Sequence, residues 1–304
     1  MALSMGDLLN DDLFEAVSTA NMQKCLDVIN RYHNHPESCS CLNIDEALIL
    51  SIPTQHIDII KLLLDYRANV KYTDGFGRRA IHVAVETKNV DVLKLILRAG
   101  SPVNVPNNEG KSPLHLACEN GSEEIAELLL DGCANINRAQ TYQMNEFPMH
   151  IAAKKGYTRI LEALRRRGGN LDARTKKGQT PLHYAVLSKQ YTTVPYLCSV
   201  GADINAVDSS GETALSIALK NGLLVMAQTL LEQGARADVL TETKRSVLHY
   251  IPSLMTKTGS DKHKNIYEQL LTSAADVINT VSENGTPLHT AVYFKYVKIL
   301  ALLT

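Results

Sequence analysis

Apolar positions recur along this chain in a block that repeats about every 33 residues. In the block that begins at Thr180, Leu182 and Ala185 have the spacing of one helix face, and a second helical pattern follows through Val194 and Leu197. Each block therefore predicts two short helices joined by a turn. A fixed period of this length is typical of stacked helix-turn-helix units that bury one continuous core.

A four-residue phrase marks the start of the first helix in seven blocks. Its fullest form is Thr180-Pro-Leu-His183, and its fourth residue is His everywhere except at Ser216. The steps between successive fourth residues are 33, 35, 33, 33, 33 and 40. The phrase or its variants begin at Arg79, Ser112, Phe147, Thr180, Thr213, Ser246 and Thr286.

Local signals give both ends of each helix pair. The Thr180 hydroxyl is suited to cap the first helix, and Pro181 occupies the first helical position, where no backbone donor is needed. The second helix is predicted to stop at Gly201 in a left-handed conformation. The same slot is occupied in other blocks by Gly100, Gly168 and Gly234, and by Arg67, Cys133 and Ala274.

The phrase Thr180-Pro-Leu-His-Tyr-Ala185, with the later Gly201-Ala-Asp-Ile-Asn205, resembles the ankyrin repeat. The resemblance covers nearly the whole chain. It implies an all-α ankyrin-repeat solenoid of helix-turn-helix units with β-hairpin fingers. It also implies a surface for other macromolecules and no place for chemistry, so we expect a protein that is not an enzyme.

We predict a single array over residues 1–304 with about nine units. The eighth has about seven extra residues around 256–263 and a proline at 252, which predicts a distorted first helix and a protruding loop. The last unit ends before its glycine stop, as expected for part of a longer protein. The predicted units are 7–42, 43–73, 74–106, 107–140, 141–174, 175–207, 208–240, 241–280 and 281–304.

Composition excludes several classes of protein. Lys and Arg number 31 against 32 Asp and Glu, so no net field favours nucleic acid or membrane. No run of 18 apolar residues is present, and the first residues lack a signal-peptide pattern. The six cysteines then indicate a reducing compartment. We expect a monomer in the cytoplasm or nucleus, with no membrane segment in this chain.

Potential metal ligands do not form a standard site. The histidines of the phrase lie on successive helices that stack roughly 8–10 Å apart, so we interpret them as hydrogen-bonding groups within the repeats. His33, His35, Cys39 and Cys41 form a denser cluster, but its spacing is not that of a zinc knuckle. We interpret it as a polar loop, with zinc as the alternative. No catalytic, cofactor or metal residues are predicted.

A basic band over residues 154–177 contains nine basic residues against two acidic ones, a net charge of +7. Matching the sequence to the ankyrin pattern places Lys154, Lys155, Lys176 and Lys177 on the concave side, facing an acidic or phosphorylated protein segment. Arg165, Arg166 and Arg167 are expected to pair internally, with the acidic unit that precedes them. The absence of interleaved aromatic residues argues against nucleic acid.

In ankyrin arrays, partners contact hairpin tips and exposed residues of the first helices. The alternative for such positions is packing between neighbouring hairpins. By the same matching, the further candidate partner-binding residues are Phe76, Arg78, Glu109, Lys111, Gln143, Met144, Gln179, Glu212 and Arg245.

The resemblance leaves three functions open. The leading one is a non-catalytic interaction module that binds a protein segment in its groove. The others are the substrate-recognition arm of a ubiquitin ligase and the cytoplasmic ankyrin region of a larger channel or enzyme. Ankyrin repeats also resemble substrates of an asparaginyl hydroxylase that favours Leu eight residues before its target. Asn137 follows Leu129, and Asn205 follows Leu197, at that spacing.

Overall fold

Short helices joined by tight turns make up the chain. The computed structural model describes residues 5–34, 42–140, 144–251, 264–283 and 285–289. The chain divides into two compact units, Met1–Tyr142 and Gln143–Thr304. In each unit, consecutive helices form pairs, and the first helix of one pair packs against the first helix of the next. The all-α repeat architecture predicted from the period is confirmed.

Four helix pairs form the described part of the first compact unit, and a 3-10 turn at Ile52–Thr54 extends one of them. The first helices of the pairs are α1, α3, α5 and α7, and the second helices are α2, α4, α6 and α8. Their bounds are α1 Met5–Ser18, α2 Met22–Asn34, α3 Ile44–Ser51, α4 Ile57–Asp65, α5 Ala80–Glu86, α6 Val90–Arg98, α7 Pro113–Asn120 and α8 Glu123–Asp131.

The second compact unit continues the pattern with first helices α9, α11 and α13. The next first-helix position is a 3-10 helix, Val247–Tyr250, close to the proline at 252 that predicted a distortion. The predicted loop around 256–263 lies outside the described residues. The bounds are α9 Pro148–Lys155, α10 Thr158–Arg166, α11 Pro181–Leu187, α12 Thr193–Ser199, α13 Ala214–Lys220, α14 Leu224–Glu232 and α15 Lys264–Ser273. The nine unit boundaries stay predictions.

Small residues allow the first helices to pack closely. The second position after the phrase carries alanine in five successive first helices, and each alanine is fully buried. A larger side chain there would push neighbouring helices apart, because a packed core tolerates little added volume. These residues are Ala84, Ala117, Ala152, Ala185 and Ala218.

The hairpin fingers are present as hydrogen-bonded turns, and the described residues contain no β-strand element. Within one finger, the Thr175 N–H donates to the Gln179 carbonyl at 3.0 Å. Between fingers, the Lys176 N–H donates to the Met144 carbonyl at 3.0 Å, and the Ser209 N–H to the Lys177 carbonyl at 2.9 Å. Such isolated bonds align the fingers but do not build a strand ladder.

Four histidines of the phrase each join their helix pair to the finger of the next unit. The Nε2 atoms of His82, His150, His183 and His249 lie 3.0, 2.9, 3.0 and 3.2 Å from carbonyl oxygens of later fingers. A carbonyl only accepts, so Nε2 carries the proton. The Nδ1 atom then accepts the backbone N–H three residues earlier, at 3.0–3.3 Å. This confirms that these four histidines are hydrogen-bonding groups of the repeat.

The second helices stop as predicted at most of the aligned positions. Gly100, Gly168, Gly201 and Gly234 have φ of 82°, 86°, 95° and 92°, and Cys133 has φ of 61°. At Cys133 the stop is closed by two bonds, Cys133 N–H to Leu130 O and Ala134 N–H to Leu129 O. This is the paired pattern of a left-handed helix terminus.

Ala274 is an exception, and the prediction of a left-handed stop there is wrong. Its φ is −118°, and the chain continues directly into a 3-10 helix at Ala275–Val277. A residue with a Cβ avoids the left-handed region where the chain has another route. The Ala274 methyl group is instead fully buried.

Replacing Cys133 with glycine tests the helix-stop interpretation. Cys133 is exposed, so the change removes little packing but relieves a positive φ. We expect Cys133→Gly to raise the free energy of unfolding by about 0.5–1 kcal/mol. Urea midpoints of the two proteins at matched concentration measure it.

The control is Ala274→Gly, at the aligned position where φ is negative. That variant gains nothing from glycine and loses a buried methyl group, so it should destabilise the fold by about 1 kcal/mol or more. A loss of stability in Cys133→Gly as large as in Ala274→Gly would contradict the assignment.

Acid should weaken the array through the buried histidines. Burial lowers the pKa of His82 and of His150 to about 4, although each Nε2–H bond to a carbonyl opposes the shift. An unfolded histidine titrates near pH 6.5. Between these values the unfolded chain binds more protons, so stability is full above about pH 6.5 and falls as the pH drops toward 4.

Urea midpoints between pH 7.5 and 5 measure this effect. His82→Gln should lower stability at pH 7.5 by about 1–3 kcal/mol, because it breaks the hydrogen bond from the imidazole to the carbonyl of the next finger. The stability of the same variant should depend less on pH than that of the wild type. His56→Gln, at an exposed histidine, should change neither the stability at pH 7.5 nor its dependence on pH. An unaltered pH dependence in His82→Gln would refute a titrating role for this residue.

Candidate functional site

A groove in the first compact unit brings together four of the predicted partner-binding residues. Phe76 and Arg78 come from one finger, and Glu109 and Lys111 come from the next. The groove has a volume of about 450 Å³. Its other lining residues are Gly75, Glu86, Asn107, Asn108, Leu116, Glu119 and Asn120.

Arg78 of this groove is held by two carboxylates. Its Nε lies 2.9 Å from Asp74 Oδ2, and its Nη1 lies 3.1 Å from Glu86 Oε2. Its guanidinium carbon is 5.2 Å from the centroid of the Phe76 ring, within cation–π range. Phe76 itself is 70% exposed, so its ring is available at the finger tip.

Lys111 repeats this arrangement in the next unit. Its Nζ lies 2.9 Å from Glu109 and 3.0 Å from Glu119, and its side chain is largely buried. Both cations of the groove are therefore neutralised within the array. The carboxylates that pair with them outnumber them, which leaves this groove with a negative surplus.

The four lysines of the basic band lie on the second compact unit and are exposed. Lys154 is at the end of α9, where its Nζ lies 3.6 Å from Glu146 and 5.8 Å from the centroid of the Tyr184 ring. Lys155 follows it, and Lys176 and Lys177 form the tip of a finger. The position of these four residues on the concave side and their binding role stay predictions.

The remaining predicted contacts divide by position. Met144 and Gln179 are half-buried, and their backbone carbonyls accept bonds from Lys176 N–H and from His150 Nε2. Arg245 is half-buried in a finger and donates its N–H to Thr241 Oγ1 at 3.0 Å. Gln143 lies outside the described residues.

Glu212 was predicted among the exposed positions, and this is wrong, since it is 7% exposed. Its carboxylate accepts the Ser216 hydroxyl, Lys220 Nζ at 3.0 Å and the Tyr250 hydroxyl at 2.9 Å. Burial and the neighbouring Glu212 carboxylate raise the pKa of Tyr250. Glu212 is a buried anchor for the residues around it.

The sequence reasoning missed two exposed residues, Leu187 and Lys220. They occupy in α11 and α13 the position that Lys154 occupies in α9, six residues after the first residue of the helix. A signal was available for one of them. A glutamate stands eight residues before each lysine, at Glu146 and at Glu212, and each pair is in contact.

Two arginines of the basic band, Arg165 and Arg166, pair within their own helix. Arg165 contacts both oxygens of Glu162 at 2.9 Å, and Arg166 Nε contacts Glu162 Oε1 at 2.8 Å. Hydrogen bonds from Arg165, and then from Tyr196, lower the pKa of Glu162 to about 2. Arg165 and Arg166 therefore pair internally, but the predicted partner is wrong, because Glu162 lies in their own helix and not in the preceding acidic unit.

The described part of the chain contains neither a metal-binding cluster nor a membrane-spanning helix. No group of three or more His, Cys, Asp or Glu side chains converges there. The side chain of His33 and residues His35, Cys39 and Cys41 lie outside that part. None of its helices has the length and apolar content needed to cross a membrane.

The two asparagines predicted to be hydroxylated differ in setting. Asn137 is exposed in its finger. Asn205 is half-buried, and its Oδ1 accepts the Arg236 N–H of the next unit at 2.8 Å. Asn104 and Asp172 make the same contact one unit onward, to Asn135 N–H and Asp203 N–H. The Asn205 carboxamide therefore belongs to a repeated link between units.

A family model described as ankyrin repeats in three copies matches residues 13–107, 48–140 and 134–208. Together these ranges span residues 13–208, more than half of the 304 residues. The chain belongs to the ankyrin-repeat family. Ankyrin repeats form protein–protein interaction modules, and this array is one.

Known relatives share the repeat over part of their length. The array is 33% identical over 145 residues to human Ankyrin repeat and SOCS box protein 16, covering 47% of this chain and 30% of that protein. It is 31% identical over 113 residues to human Transient receptor potential cation channel subfamily A member 1, covering 37% of this chain and 10% of that protein. The matches thus span less than a third of either relative.

A solved structure supports the fold. The human ASB11 ankyrin repeat domain superposes on the array with a TM-score of 0.61 at 23% identity. The superposition covers 74% of this chain and 96% of that chain. At this identity the likeness shows the fold alone.

Hydroxylation can be tested directly by mass. The array should gain one oxygen at the Asn137 or Asn205 peptide when it is co-expressed with an asparaginyl hydroxylase. Asn137 should react more readily, because it is more exposed than Asn205. Asn205→Ala and Asn137→Ala assign the added mass to a residue. Unmodified peptides at both positions would end the prediction.

Proposed function

We propose that this array is a non-catalytic recognition module that binds an acidic or phosphorylated protein segment through Lys154, Lys155, Lys176 and Lys177. The single observation that carries the proposal is the exposure of all four ammonium groups on the first-helix end and finger tip of the second compact unit. Carboxylates and phosphates form strong, charge-assisted hydrogen bonds with such groups.

Contrast with other charged groups supports this choice. Arg165 and Arg166 share Glu162, and in the first compact unit Arg78 and Lys111 each contact two carboxylates. A partner would have to displace those internal pairs. A partner can bind the exposed lysines of the finger tip without displacing such pairs.

The setting and assembly are also proposals. Cys25, Cys118, Cys133 and Cys198 are free thiols, which supports a reducing compartment such as the cytoplasm or the nucleus. A monomer is proposed because one array supplies the whole lysine surface. A protein partner is favoured over nucleic acid, since no aromatic residues alternate with the four lysines.

Selection from a peptide library tests the proposed partner class. The array should enrich acidic or phosphorylated sequences, and their affinity should fall as salt is added. Changing Lys154, Lys155, Lys176 and Lys177 to Glu should abolish binding while the circular dichroism spectrum and urea midpoint stay near those of the wild type.

Charge reversal elsewhere on the array separates a local effect from a global one. Lys61→Glu and Lys94→Glu change exposed charge on second helices of the first compact unit and should leave peptide binding intact. Unchanged affinity in the four-lysine variant would contradict the proposal and leave the basic band as an internal feature.

Two alternatives receive support from the relatives. Similarity to Ankyrin repeat and SOCS box protein 16 favours the substrate-recognition arm of a ubiquitin ligase. Similarity to a Transient receptor potential channel favours the cytoplasmic region of a larger channel. The coding sequence downstream of Thr304 distinguishes them. A short helical ligase-recruiting box would support the first, and a membrane-spanning domain the second.

A further inference from the structure

One row of side chains crosses the ends of three adjacent first helices in the second compact unit. Lys154 of α9, Leu187 of α11 and Lys220 of α13 occupy the same helical position, six residues after the helix start. We call these three residues the Lys-Leu-Lys row. All three are exposed, and Leu187 is an exposed apolar residue between two cations, 46% accessible.

Buried acids hold both lysines of the row. Glu146 and Glu212 have only 13% and 10% of their side chains exposed, whereas Lys154 and Lys220 have 49% and 55% exposed. Burial and the Glu146 carboxylate raise the pKa of Tyr184, and the Tyr250 hydroxyl donates to Glu212. Each acid is thus covered by a tyrosine from a later first helix or 3-10 helix. The row presents positive charge to solvent although its charges are paired.

The first compact unit carries the opposite polarity at these positions. Its corresponding helix-end residues are Glu86 and Glu119, paired with Arg78 and Lys111 eight residues earlier. The helix-end position therefore exposes carboxylates in the first compact unit and ammonium groups in the second. The row is a property of the second unit's sequence and is not imposed by the repeat.

Spacing along the row selects the conformation of an occupant. Packed helices lie roughly 8–10 Å apart, which sets the step from Lys154 to Leu187 and from Leu187 to Lys220. A polyproline II segment advances about 9 Å in one turn of three residues, so every third side chain faces the same way. A β-strand fails, because residues three apart point to opposite faces.

We propose that the Lys-Leu-Lys row binds an extended segment of a partner protein with an acidic residue, an apolar residue and a second acidic residue at positions i, i+3 and i+6. This inference rests on the proposed function and specifies its partner. The two acids meet Lys154 and Lys220, and the apolar side chain covers Leu187. Prolines between these positions favour the conformation that brings all three onto one face.

Synthetic peptides test the spacing with the full 304-residue chain. The probe is fluorescein-labelled GEAPLPAEG, measured by fluorescence anisotropy at low ionic strength. GEALPPAEG has the same composition with leucine moved by one position and should bind at least threefold more weakly. GQAPLPAQG, without acids, should bind about tenfold more weakly, as expected for the loss of two exposed ion pairs.

Variants of the row test its residues. Lys154→Gln and Lys220→Gln should each weaken GEAPLPAEG about two- to fivefold, and Leu187→Ser about fivefold. Lys94→Gln and Val225→Ser are the matched controls on exposed second-helix positions and should bind as the wild type does. Urea midpoints confirm that each variant is folded, and Lys220→Arg should retain binding because it keeps the charge next to Glu212.

The outcomes separate the row from the broader proposal. Binding of the row to its proposed occupant is contradicted if GEAPLPAEG and GEALPPAEG bind equally well, or if Leu187→Ser and Lys220→Gln bind GEAPLPAEG as tightly as the wild type does. Either result counts against the row even if the four-lysine variant no longer binds acidic peptides. The proposed function is overturned if the four-lysine variant keeps both its affinity for acidic peptides and its selectivity for them. Failure of GEAPLPAEG to bind up to its solubility limit also counts against the row.

Discussion

The bond from a first-helix histidine to the carbonyl of the next finger is the constraint on which the array depends. The imidazole ring has three roles. It accepts the N–H at the helix start, donates a hydrogen bond to the following unit and fills a buried site. Only a neutral imidazole with its proton on Nε2 meets both demands. The finger that carries Lys176 and Lys177 is therefore positioned by α9 through the His150 ring.

The fifth phrase, Thr213-Ala-Leu-Ser216, shows what the fold requires when the ring is missing. Ser216 replaces histidine, and its hydroxyl is too short to reach the next finger. Glu212 turns inward instead and joins Ser216, Lys220 and Tyr250 in a buried polar cluster. A buried carboxylate is stable only when its hydrogen-bonding capacity is filled. The substitution thus changes a backbone link between units into a side-chain link.

Much of the fold could be read from the sequence because each repeat carries its own start and stop. The period, the phrase and the glycine slot predicted the helix pairs, and even Cys133 adopts the left-handed φ. Ala274 could not be predicted in this way, since its conformation depends on the 3-10 helix after it. The repeat register made the four lysines candidate partner-binding residues, and all four are exposed. The burial of Glu212 did not, because it depends on Tyr250, 38 residues away in sequence and brought close only by stacking.

In four of the units, two positions that lie eight residues apart form an ion pair and set the surface charge at the helix end. In the first compact unit Lys111 is 18% exposed and its partner Glu119 is 31% exposed. In the second, the buried partner is Glu212 and the exposed one is Lys220. Because the residue near the finger is the more buried of each pair, the residue at the helix end decides the sign seen by a partner. Exchanging the two charges preserves the ion pair and reverses the potential. A repeat that keeps its histidine bridge and its alanine core can therefore acquire a new binding preference at these two positions alone.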